Sequence, residues 1–216
     1  MNIKGVIFDM DGLMLDTEKL LTRFWIKAAG EYGFDMKMEH VLGIRSLAAK
    51  YAIPKLQNIF GENFDYKAIR SRRIELMNDY IRENGIEKKK GLDELLEFLK
   101  GKFYIAVATA TDYERTEMYL KKVGVFEYFD KIICGPMVES GKPAPDIYLK
   151  AAEELELPPE ECVALEDSPN GILSAYRAGC KPIMVPDLSQ PDEETMSMLY
   201  AKADCLSDVI DILSSH

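Results

Sequence analysis

A doubly wound α/β core with a parallel sheet, interrupted by an α-helical insertion, is the fold class predicted for this 216-residue chain. Three observations predict it. From residue 92 onward, short apolar runs alternate with helical patterns of about 10–12 residues, which is the signature of βαβ units. A first apolar run, residues 3–8, is cut off from the next by a stretch that reads only as helix, from Thr17 to about Gly85. The segments richest in reactive side chains fall at or just beyond the ends of the apolar runs, which is where open α/β sheets bind ligands.

Residues 3–8 read as a buried strand. Thr17-Glu18-Lys19-Leu20 opens a helix that carries Phe24, Trp25 and Ala28, and further helices fit residues 46–60 and 66–84. Gly30, Gly33, Gly43, Gly61 and Gly85 mark helix ends and turns in this region. Phe24 and Trp25 suit the interior of the insertion better than a ligand platform. Arg70, Arg72 and Arg73 read as a solvated helix face. After Lys88-Lys89-Lys90-Gly91 the pattern becomes helix 92–99, strand 103–108, helix 113–123, strand 131–134, helix 146–155, strand 162–165, helix 170–178 and strand 182–185. The expected division is a core of residues 1–15 and 87–216 with a helical cap of residues 16–86.

The chain is 47% hydrophobic, enough for one domain with an insertion. Its net charge of −10 argues against nucleic acid or an anionic membrane as a general partner. An anionic small substrate remains compatible, because local cations override the global field. Cys134, Cys162, Cys180 and Cys205 form neither CxxC nor a Cys/His metal spacing. They are expected to be reduced thiols of a cytoplasmic protein. No targeting pattern, apolar run of transmembrane length or internal repeat is seen.

Asp9-Met10-Asp11-Gly12 ends the first apolar run. On extended backbone, side chains two residues apart share a face, so the two carboxylates are aimed at one space. Like charges that close need compensation. A divalent cation provides it, and a metal-neutralised Asp can act as a nucleophile. The competing reading is an Asp-Gly hairpin turn. Thr109-Ala110-Thr111-Asp112 follows the second run: Thr111 or Asp112 serves as helix N-cap, leaving Thr109 to hold an anion. Ser140-Gly141-Lys142-Pro143-Ala144-Pro145-Asp146 is not a P-loop, but its prolines would hold the Lys142 ammonium in place. Otherwise Lys142 is a solvated charge. In Leu165-Glu166-Asp167-Ser168-Pro169, Ser168 as N-cap with Pro169 at the first helical position leaves two acids for a metal. Mg²⁺ prefers oxygen ligands and needs only one or two carboxylates beside substrate phosphate and water.

These four motifs, in this order and with a helical insertion after the first, resemble the haloacid dehalogenase (HAD) superfamily of phosphotransferases, with its Rossmann-like core. The sequence is most similar to the subgroup of β-phosphoglucomutase and small sugar-phosphate phosphatases. The resemblance implies that Asp9 attacks phosphorus and forms an aspartyl-phosphate. Asp11 would protonate the leaving oxygen, then activate water. Mg²⁺ would bind Asp9, Asp167 and the backbone carbonyl of Asp11, with Glu166 a direct ligand or a partner of one. Thr109 and Lys142 would hold the transferring phosphoryl group, with Ala110 beside them. Arg45, in Leu42-Gly43-Ile44-Arg45-Ser46, is the cap residue chosen for substrate contact; the competing reading is a surface arginine near a helix start. Asp11 argues against a dehalogenase, whose leaving halide needs no proton. The mutase's cap histidine falls near Leu21 and its cap lysine near Asn78, and its cap arginine lies one place from Arg45. The expectation is therefore a monomeric Mg²⁺-dependent phosphatase of a small phosphorylated metabolite. A phosphomutase is the alternative, and a non-catalytic phosphate-binding protein the third reading.

Overall fold

A computed structural model describes residues 3–214. Six parallel strands form one sheet in the order β3-β2-β1-β4-β5-β6. They are β1 (Gly5–Phe8), β2 (Tyr104–Thr109), β3 (Lys131–Cys134), β4 (Cys162–Glu166), β5 (Lys181–Met184) and β6 (Ala201–Lys202). Strand β1 lies between β2 and β4, pairing Phe8 with Val107 on one side and Leu165 on the other. The strand order reverses there, so the crevice at the end of β1 is the topological switch point of the sheet.

Both faces of the sheet are covered, which explains continuous apolar runs rather than alternation. Val6, Phe8, Val107, Val163 and Leu165 join the core on one face, together with Leu92, Leu95, Leu96 and Leu99 of helix α5 (Leu92–Leu99). Ile7, Ala106, Ala108 and Ala164 face the other way, onto Ile147, Tyr148, Ala151 and Ala152 of α7 (Asp146–Glu154). The remaining helices after β2 are α6 (Tyr113–Lys122), α8 (Pro169–Arg177), α9 (Glu193–Met198) and α10 (Val209–Ser214).

Between β1 and β2 lie α1 (Glu18–Glu31), α2 (Met38–Leu42), α3 (Ala49–Phe60) and α4 (Tyr66–Asn84), ahead of α5. Trp25, Ala28, Met36, Leu56, Phe64 and Ile69 make a separate apolar cluster there. Trp25 and Tyr66 hold their rings 5.5 Å apart, so Trp25 does help to build the interior of this segment.

Several boundaries differ from the pattern. Helix α3 starts at Ala49 rather than residue 46, because Ser46 takes a left-handed backbone conformation (φ 59°) that no helix continues. Elements α2, α9, β6 and α10 were not expected. Each is six residues or fewer, too short to display a period. The arginines of α4 do not form one solvated face. Arg72 does turn outward to Glu31 (2.6 Å) and Glu75 (3.1 Å), whereas Arg73 is 6% exposed and lies over the Trp25 ring. Among the described residues no helix is long and apolar enough to cross a membrane.

Candidate active site

The chain leaves β1 with the Asp9 N–H still bonded to the Leu165 carbonyl (3.0 Å), then turns at Gly12. Gly12 has φ +88°, and a Cβ there would stand 2.1 Å from a carboxylate oxygen of Asp167. Only glycine allows the first motif loop to approach the β4 acids that closely. Asp11 is aimed by two hydroxyls: Thr17 donates to one carboxylate oxygen (2.7 Å) and Thr111 to the other (2.8 Å). Thr111 is thus not the helix cap. Asp112 caps α6, accepting the Arg115 N–H at 3.1 Å, and this frees the Thr111 side chain to reach back across the sheet end.

Lys142 is no solvated charge. It is 1% exposed and spends its three donors on Asp9 (2.5 Å), Glu166 (2.6 Å) and the Ala108 carbonyl (3.0 Å). Glu166 also accepts from the Tyr148 hydroxyl at 2.7 Å. Ser168 caps α8, accepting the Gly171 N–H at 3.2 Å, with Pro169 in the first turn. Arg45, in the loop between α2 and α3, is buried rather than on the surface. It donates to Asp167 Oδ2 at 2.9 Å and to the Asp167 carbonyl, and its Nε lies 3.9 Å from Glu18. The segments that follow β2 grip the helical insertion around it: Asn170 donates to the Arg45 carbonyl (2.9 Å), and the Ala48 N–H donates to the Lys142 carbonyl (3.0 Å).

Burial pushes the Asp9 carboxyl up to about 7, although Lys142 pulls it back. Burial likewise carries Glu18 to about 8 against Arg45, and Asp167 well above its usual range. Burial disfavours the Lys142 ammonium, but Asp9 and Glu166 outweigh it and raise its pKa. Four buried acids, Asp9, Glu18, Glu166 and Asp167, thus share two cations at this end of the cavity, Lys142 and Arg45.

Oxygen atoms of Asp9, Glu166 and Asp167 come within 4.8 Å of one another, all three residues buried. Asp167 Oδ1 is buried without a hydrogen-bond partner. A hard all-oxygen donor set with an orphaned carboxylate oxygen fits a divalent cation. The Asp11 carboxylate is not part of this cluster. Asp9, Asp11, Thr109, Ala110, Lys142 and Arg45 all line one cavity of about 670 Å³. Thr109 accepts the Thr111 N–H at 3.1 Å, which leaves its own hydroxyl proton free to donate.

Sequence reasoning missed Glu18, Thr17 and Tyr148. Thr17 and Glu18 carry a signal that also reads as a helix start, and Tyr148 sits at an ordinary core position of an amphipathic helix.

A family model described as haloacid dehalogenase-like hydrolase matches residues 6–185. The phosphorylated carbohydrates phosphatase of Thermotoga maritima is 32% identical over 187 residues, covering 84% of each chain. A fructose-1-phosphate phosphatase of Escherichia coli is 26% identical over 181 residues, with 84% of this chain and 95% of the relative covered. The crystal structure of CbbY from Rhodobacter sphaeroides in complex with phosphate superimposes with a TM-score of 0.81 at 29% identity, covering 96% of each chain. Sheet order, buried acids and relatives agree: the chain belongs to the haloacid dehalogenase-like hydrolases and is an enzyme of their phosphatase branch.

Proposed function

We propose that the protein is a Mg²⁺-dependent phosphatase that hydrolyses a sugar phosphate through an aspartyl-phosphate on Asp9. The carrying observation is the pair of carboxylates on one cavity wall: Asp9 held by a buried lysine, Asp11 aimed by two hydroxyls. The substrate class follows the Thermotoga maritima and Escherichia coli relatives, which act on phosphorylated carbohydrates and fructose 1-phosphate by name.

Asp9 attacks phosphorus, the bond to the ester oxygen breaks, and Asp11 gives that oxygen its proton. Asp11 then takes a proton from water, whose oxygen attacks the aspartyl-phosphate and frees Asp9 and inorganic phosphate. Thr109 and Ala110 flank the phosphoryl group. Lys142 screens the repulsion between an anionic nucleophile and an anionic substrate, and fixed charges of this kind account for much of the catalysis in phosphoryl transfer. A divalent cation held by Asp9, Asp167, Glu166 and the Asp11 carbonyl supplies further neutralisation of the phosphoryl oxygens when bound. Residues 16–86 serve as a cap domain that closes over the cavity and excludes bulk water. Its Leu21 lines the cavity where the mutase has histidine, and Asn78 is engaged by the Tyr119 hydroxyl (2.9 Å). Both favour hydrolysis over isomerisation.

The test is phosphate release from a panel of sugar phosphates, nucleotides and phosphorylated acids with and without Mg²⁺, using wild type and Asp9→Asn. Turnover that needs Mg²⁺ and vanishes in Asp9→Asn is expected. Activity retained in that variant overturns the covalent route, and isomer formation without net phosphate release turns the assignment to a mutase.

A further inference from the structure

The cavity has a second cationic wall that the phosphoryl chemistry does not use. Lys67, Arg70 and Arg73 are spaced three apart on α4, so they share one helix face, and all three line the cavity. Arg115, from the first turn of α6 in the core, lines it from the other side of the cap–core cleft.

Arg73 is the informative member. It is 6% exposed, and its Nε is buried with no hydrogen-bond partner. Its one hydrogen bond among the described residues runs to the weakly accepting thioether of Met77, at 3.9 Å. The indole of Trp25 backs the guanidinium at 5.4 Å. Arg115, 8% exposed, is held through its Nε by Asp112 at 2.6 Å. Burial, together with the neighbouring Arg115 and Arg70, holds Arg73 down to about 10, with Asp11 and Tyr66 offsetting part of the drop. A buried charge with no carboxylate in contact is costly, and two guanidinium groups facing one cavity add repulsion. An anion between them removes both penalties, and arginine is the side chain best shaped to grip carboxylate or phosphate oxygens in pairs.

We propose that Arg73 and Arg115, with Arg70 at the rim, form a receptor for a second anionic group of the substrate, remote from the scissile phosphate. This rests on the phosphatase reading and deepens it: the substrate is a phosphate ester that also carries a distal phosphate or carboxylate.

The experiment compares kcat/KM for matched pairs: fructose 1-phosphate with fructose 1,6-bisphosphate, and glucose 6-phosphate with 6-phosphogluconate. Wild type is expected to prefer the member with the extra anion by about tenfold or more, the value of a charge-assisted contact. The favoured pair identifies phosphate or carboxylate as the source. Arg73→Met should erase that preference and Arg73→Lys should restore part of it, whereas mere loss of stability lowers both members alike. Arg115→Gln is the second variant should Arg73→Met fail to fold. Titration calorimetry of Asp9→Asn with the same four compounds gives a readout that needs no turnover. If wild type hydrolyses none of them, the sugar-phosphate part of the phosphatase reading fails, while tighter binding of the dianionic partners that depends on Arg73 still upholds the receptor. Equal kcat/KM and equal affinity within both pairs, or a preference untouched by Arg73→Met, overturns it.

Discussion

Replacing Lys142 by methionine should destabilise the fold far more than a change of similar volume normally does. The ammonium sits 2.5 Å from Asp9 and 2.6 Å from Glu166, and all three side chains are at most 5% exposed. Methionine fills the same channel, so little of the effect comes from a cavity. What is lost is the counter-charge to two buried acids. Breaking a buried ion pair by removing one partner costs about 3–5 kcal/mol. For a chain of this size, each kcal/mol moves Tm by about 2–4 °C, giving a fall of about 6–20 °C. The assay is urea unfolding in EDTA, repeated on Glu166→Gln and on the double variant. The amide oxygen introduced by Glu166→Gln can still accept from the Tyr148 hydroxyl, and the substitution removes one of the stranded charges. The double variant should therefore lose less than the sum of the singles, with a coupling of about 1–3 kcal/mol. A loss below about 1 kcal/mol for Lys142→Met, or strict additivity, refutes the picture of a lysine that neutralises both acids.

Asp11→Asn should lower kcat by about 10²–10⁴-fold on alkyl phosphates. The loss should be much smaller on p-nitrophenyl phosphate, whose leaving group needs no proton; equal losses on both would deny Asp11 its proton. Thr111→Val removes one of the two hydroxyls aiming Asp11 and should lower kcat about tenfold with KM little changed, in steady-state assays of the same esters. Gly171→Ala lies in α8, where alanine ordinarily gains about 1 kcal/mol over glycine. Here its Cβ would fall 1.9 Å from the Glu166 carboxyl carbon, so urea unfolding should instead report a net loss of about 2 kcal/mol or more. Burial holds the Cys162 thiol up at about 11 and Cys180 at about 12. Mass-resolved alkylation at pH 8 should thus modify half-buried Cys205 first and leave Cys162 and Cys180 protected until the chain is unfolded.

The strands of the core were legible because both faces of the sheet are covered, which turns each strand into a compact apolar run such as Val163-Ala164-Leu165. The convergence of the candidate site residues was legible for a related reason. Parallel strands end on one edge, so residues that follow separate runs, such as Asp9, Thr109 and Asp167, come together whatever the chain between them does. The supporting contacts were not legible. Thr111 reads equally well as a helix cap, and only the neighbouring Asp112 carboxylate, which takes the cap, decides otherwise. Ser46 breaks the expected helix through a left-handed φ that no composition rule requires of serine. Tyr148 looks like core and is core, with one polar tip that happens to meet Glu166.

The two buried arginines of the helical insertion were the hardest to read, because helix periodicity reports which face a residue lies on but not what awaits it there. Arg45 and Arg73 are buried to the same degree, at 7% and 6% exposure. They differ in what they meet. Arg45 finds a carboxylate and a carbonyl of Asp167, 122 residues away, so its charge is compensated within the protein and its contact fastens cap to core. Arg73 finds an aromatic face and a thioether, neither of which compensates a charge fully. On the receptor proposal, equal burial with unequal contacts means unequal roles: Arg45 ties the helical insertion to the β4 end of the core, while Arg73 takes a contacting counter-ion from something that enters the cavity. On that proposal, closure and specificity would rest on different side chains, Arg45 and Arg73, and could be changed separately.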